Sequence, residues 1–129
     1  MTNDLWMLLA AAAIQWALIL VAATTNIATS GMKWALGNRE SRDEIPPWLA
    51  RAERASRNMA ENLPLFAILV LVAHVSGSAD AMSSQGAMIF VGARVAHALV
   101  YIAGIPGLRT LCWVVSIVGM GMIATSILT

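Results

Sequence analysis

Four long apolar stretches alternate along this chain with short polar ones, and their lengths predict the elements. Leu5 to Thr29 holds no charged residue. It exceeds the about 20 helical residues that cross a hydrocarbon core of about 30 Å, so a first membrane helix is expected over 5–29. The preceding MTND has no Lys or Arg, and the apolar run is longer than a typical signal core, so this segment is expected to stay in the mature protein. Ser30 to Pro47 (SGMKWALGNRESRDEIPP) reads as a polar loop ended by Pro-Pro, with Trp34 and Trp48 flanking it as an interfacial aromatic belt would.

The second helix is expected over 48–75, roughly 42 Å long, so its first turns should project beyond the bilayer and leave Arg51 and Glu53 in water. Pro64 should free the carbonyl of Ala60 and kink this helix. Ser76 to Gln85 reads as a turn, Gly86 to Ala103 as the third helix, Gly104 to Gly107 (GIPG) as a turn and Leu108 to Thr129 as the fourth span. In that last span the small residues Ser116, Gly119 and Gly121 permit close helix contact. The fold class is therefore an all-α integral membrane protein, a single four-transmembrane-helix domain over 1–129.

Composition agrees: 59% of residues are hydrophobic and 12% charged, against roughly 25% charged in an ordinary soluble domain. A net charge of +1 with no basic arm excludes a nucleic-acid binder. The single cysteine, Cys112, excludes an intrachain disulfide and a Cys cluster for zinc or iron–sulfur, and is expected to be a small packing residue. No metal set, phosphate loop or Ser-His-Asp arrangement is evident.

Six of the eight basic residues, Lys33, Arg39, Arg42, Arg51, Arg54 and Arg57, lie in the first loop or the start of the second helix, and Arg109 lies beside the GIPG turn. The positive-inside rule then puts both termini outside and these two loops in the cytoplasm.

The charges that enter the spans carry the functional signal, because an ionisable side chain in lipid is costly. Arg54, Arg57, Asn58 and Glu61 share one face of the second helix, with Leu65 on the same stripe. Arg94, His97 and Tyr101 share a face of the third, and Arg109 sits in the first turn of the fourth. All fall in the cytoplasmic half, with Glu61 and Arg94 at comparable depth as candidates for a buried pair. Polar faces on three helices cannot all be satisfied within one small bundle, which points to a shared interface between copies of the chain.

A ligand that uses this set has two anionic groups for Arg forks and an ammonium for Glu. Glutathione has that pattern together with a thiol, although the spacing alone admits other polyanionic or zwitterionic ligands. Three classes follow: a thiol-using enzyme, a non-catalytic lipid- or glutathione-binding scaffold, and a small proton-coupled transporter using Glu61. The arginines beside Glu61 argue against a cation exporter.

The runs ERASRNMAENLPLF and ARVAHALVYIAGIPGLRTLCWVVSIVG resemble the MAPEG family, the membrane-associated proteins of eicosanoid and glutathione metabolism, and especially its short bacterial members. R-x-x-R-N-x-x-E-N-x-P-x-F, followed by R-V-x-H-x-x-x-Y and R-T in order, is the specific part. The resemblance implies a homotrimeric four-helix bundle with three glutathione sites at subunit interfaces, and a glutathione transferase or peroxidase acting on hydrophobic electrophiles or lipid hydroperoxides. It implies Arg54, Arg57, Asn58, Glu61, Arg94, His97 and Tyr101 as glutathione-binding residues, with Thr110 where some members have Ser. Arg109 matches the arginine credited with stabilising the thiolate. The basic residue of the first loop is Lys33 or Arg39. Ser56 replaces a His of some eukaryotic members, and Trp113 replaces a Tyr near the cofactor in others. No metal is implied.

Overall fold

The computed structural model describes residues 1–42 and 44–129; Asp43, within the loop expected over 30–47, lies outside the described residues. Among them the regular elements are all helices: α1 (Asn3–Ser30), α2 (Met32–Leu36), α3 (Pro47–Ser76), α4 (Ala81–Ala103) and α5 (Pro106–Leu128). Four of these, α1, α3, α4 and α5, are long and apolar enough to span a membrane.

Capping sets the helix boundaries. Pro47 and Pro106 stand in the first turns of α3 and α5, where a missing N–H costs nothing and a fixed φ suits the helix. For that reason α5 starts before the expected Leu108. The larger difference is α4, which begins at Ala81 rather than Gly86. Its polar first turn reads as a loop by composition, yet Asp80 and Ser83 form a reciprocal capping box: Ser83 N–H donates to Asp80 Oδ1 at 2.8 Å, and Asp80 N–H donates to Ser83 Oγ at 3.0 Å. The loop after α1 also differs from expectation, since Gly31 turns the chain at φ 88° into the short α2, which carries Lys33 and Trp34.

The α4–α5 contact is the most extensive in the bundle, and small residues make it possible. A Cβ on Gly86 would stand 2.5 Å from the Gly119 carbonyl oxygen, and one on Gly119 would stand 2.6 Å from that of Gly86. Gly119 is buried in this contact as expected and Ser116 is buried as well, but Gly121 faces open space. Across the bundle Phe66 of α3 stacks on Phe90 of α4 with centroids 4.0 Å apart, in a core that includes Met59, Val70 and Ile123. Apolar burial drives little association where the surroundings are lipid, so such close packing holds the helices together. Trp6, Trp16, Ile68, Leu99 and Val118 are exposed on the outer surface of the bundle.

Polar ties close each end. At the end holding the termini, buried Asp4 accepts a hydrogen bond from Ser83 Oγ at 2.6 Å, and Asp80 Oδ1 accepts one from Ser126 Oγ at 2.8 Å, joining α1, α4 and α5. At the other end Arg42 forks onto Glu53 at 2.7 and 3.1 Å, and Asn26 of α1 bonds to both. This bond to Glu53 holds the Arg42 guanidinium above its ordinary pKa. Arg51 and Glu53, expected to sit in water, both have partners; Arg51 donates from Nε to the Ile102 carbonyl at 2.9 Å. Two helical ends close enough to share these side chains leave less solvent around them than their sequence position suggests.

Candidate functional site

α3, the end of α4 and the start of α5 converge at the loop end of the bundle. There Asn58, His97, Tyr101, Arg109, Thr110 and Trp113 line one pocket of about 240 Å³. Their placement follows from helix geometry: His97 and Tyr101 are one turn apart on α4, and the two-residue link Gly104–Ile105 reverses the chain so that the first turn of α5 faces them. Gly104 takes φ 82°, a left-handed C-cap that glycine adopts without strain.

Within the pocket the Arg109 guanidinium carbon lies 4.6 Å from the Tyr101 ring centroid, a cation–π arrangement. The Tyr101 ring meets His97 edge-on, with centroids 5.5 Å apart at 74°. Thr110 donates its hydroxyl to the Pro106 carbonyl at 3.2 Å. Arg109 therefore presents a fixed positive charge beside an aromatic wall at the N-terminus of α5, whose dipole adds positive potential there.

Arg94 lies behind this pocket and is 1% exposed. Its Nη2 donates to Asn58 Oδ1 at 2.7 Å and its Nε to Met59 Sδ at 3.3 Å, while the buried Nη1 has no partner among the described residues. The expected Glu61–Arg94 pair does not form within the chain: Glu61 is exposed, and Arg42–Glu53 is the ion pair found among the described residues. On α3 Asn58 is turned toward α4, whereas Glu61 faces outward, because three residues advance the helix by less than a full turn.

The remaining expected ligands lie elsewhere in the subunit. Arg57 lines a second cleft of about 600 Å³ on the α1–α3 flank with Arg39, Arg42, Glu53 and Trp34. Lys33 and Arg39 both border a groove over α2. Arg54 is exposed. One chain thus gathers six of the expected residues directly, places Arg94 against one of them, and leaves Lys33, Arg54, Arg57 and Glu61 on outer faces. Sequence reasoning missed Asn26, Arg42 and Arg51. These contacts join residues across a loop or between helices, where no helical spacing signals them.

The chain belongs to the MAPEG family, whose pattern matches residues 5–129. Among curated proteins no match is found. Family and helices together define an integral membrane protein of a class that carries out glutathione-related transferase and isomerase chemistry.

Proposed function

We propose that this chain is a membrane-bound glutathione-dependent transferase or peroxidase that presents the glutathione thiolate to hydrophobic electrophiles or lipid hydroperoxides. The observation that carries the reading is the gathering of Arg109, Tyr101, His97 and Asn58 around one pocket at the loop end of the bundle. A free thiol near pKa 8.5 is mostly protonated at neutral pH, and the thiolate is the nucleophile. Arg109 stays protonated, so it acts as a fixed counter-charge rather than as a base. Each pKa unit by which it lowers the thiol corresponds to about 1.4 kcal/mol of preferential thiolate stabilisation.

The active assembly in this reading is a homotrimer with both termini periplasmic and the site toward the cytoplasm. Two features support a shared site. The pocket, at about 240 Å³, is smaller than the roughly 300 Å³ at which small-molecule sites begin, and Arg54, Arg57 and Glu61 face outward, where a neighbouring subunit would meet them. Lipophilic substrates reach the site laterally from the bilayer. Thr110 and Trp113 border the glutathione, and Lys33 or Arg39 reaches it from the first loop.

Thermal-shift titration of the purified protein with glutathione and its S-alkyl analogues tests binding, and turnover of an aromatic electrophile or an organic hydroperoxide tests catalysis. Saturable stabilisation with turnover is expected. Stabilisation without turnover with either class would leave a non-catalytic binding protein, and no stabilisation would remove the glutathione reading.

A further inference from the structure

The last turn of α4, which carries Tyr101, contains no basic residue of its own. The Val100 and Tyr101 carbonyls are bonded by the backbone N–H groups of the Gly104 turn, and the Ile102 carbonyl and the negative end of the dipole are met by Arg51, from the first turns of α3. The Arg51 Nε donates to the Ile102 carbonyl at 2.9 Å. The same guanidinium lies against Gly104, where an added Cβ would be 3.3 Å from both Arg51 Cζ and Nε. A cation at a helix C-terminus is stabilising, and here it also bonds the backbone between Tyr101 and the turn that leads to Arg109.

We infer that Arg51 is a positioning residue of the site: by clamping the α4 C-terminus and the Gly104 turn to α3, it fixes the angle at which Arg109 lies over Tyr101. Arg109 and Tyr101 approach each other only because the α4–α5 link reverses the chain within two residues. The link has no other side-chain hydrogen bond among the described residues than the one from Arg51 to Ile102 and the Thr110 bond to Pro106. Without Arg51, the Ile102 carbonyl loses its side-chain partner and the turn gains freedom. The 4.6 Å stacking of Arg109 on Tyr101 then broadens into a range of distances. The role concerns orientation, so it affects the chemical step more than binding. This inference rests on the proposed thiolate role of Arg109 only for its kinetic consequence.

Tyr101 is the single tyrosine of the chain, so protein labelled with 3-fluorotyrosine gives one fluorine resonance that reports on this ring alone. Arg109→Ala sets the position of that resonance when no cation lies over the ring. Arg51→Ala, and Arg51→Met, which keeps an apolar stem for packing if alanine impairs folding, should move or broaden the resonance toward that position. Arg51→Lys, which retains a donor and a charge, should stay near wild type. In turnover, Arg51→Met should lower kcat by ~10- to ~100-fold, the scale of a small misplacement, with KM within about twofold. A wild-type resonance in Arg51→Met would overturn the inference, as would KM rising with kcat unchanged. If wild type neither binds glutathione nor turns over, the proposed function fails, and the fluorine resonance still decides the role of Arg51.

Discussion

Arg94, the largest fully buried side chain of the bundle, rests on Asn58: Nη2 donates to the amide oxygen at 2.7 Å, and among the described residues no carboxylate pairs with it. A buried guanidinium held by a neutral acceptor is poorly compensated, so this contact should be sensitive to small changes in Asn58. Asn58→Ala removes the oxygen and should destabilise the protein by about 3 kcal/mol. Asn58→Asp keeps the acceptor, adds a counter-charge and should retain or raise stability. Thermal unfolding of both variants in one detergent checks the pair, and equal melting temperatures for Asn58→Ala and wild type would show that Arg94 needs no partner there.

Arg109→Ala should leave glutathione binding largely intact while removing the ultraviolet absorbance of the bound thiolate and lowering turnover by about 100-fold, the scale seen when one electrostatic donor is removed from an active site. Tyr101→Phe keeps a ring beneath the guanidinium and should preserve the thiolate signal, whereas Tyr101→Leu removes the cation–π partner and should weaken it. Retained thiolate signal and turnover in Arg109→Ala would remove the assigned role.

The crossing of α4 and α5 predicts a contrast between two glycines. Gly119→Ala would bring a Cβ within 2.6 Å of the Gly86 carbonyl oxygen and 2.9 Å of the Phe90 nitrogen. Both neighbours are backbone, so the helices must separate, at a cost of about 3 kcal/mol. Gly121→Ala meets nothing within 4 Å and should be neutral or slightly stabilising. Thermal unfolding of the two variants side by side distinguishes a packed crossing from a loose one.

Acid should loosen the end of the bundle that holds the termini. The hydrogen bond from the Ser83 backbone, followed by that from Ser126, holds Asp80 below its ordinary carboxylate pKa. With the folded-state pKa depressed, the unfolded chain binds the proton first as pH falls. The contribution of Asp80 is therefore complete above the unfolded value and is lost as pH drops through the folded one. Asn can also cap a helix, so Asp80→Asn should flatten the acid limb of the stability–pH curve while changing stability at neutral pH less. An unchanged acid limb would show that another group controls it.

The spans and the family were legible from the sequence because they rest on local quantities. An uninterrupted apolar run long enough for a bilayer allows few structures other than a helix, and the R-x-x-R-N-x-x-E motif lies within one element. The alignment of His97 with Tyr101 followed from helical period alone. Tertiary structure decided what depends on the angle between helices. It gave Arg94 to Asn58 and turned Glu61 outward, although both α3 residues lay on the face read as one stripe. It also started α4 at Ala81, because the Asp80–Ser83 capping box outweighed a composition that reads as a loop. The contacts of Arg51 with Ile102 and of Arg42 with Glu53 and Asn26 join segments whose separation carries no period. A sequence pattern reports which residues share a face; the two-residue Gly104–Ile105 turn and the glycine crossing of α4 on α5 determine which faces meet.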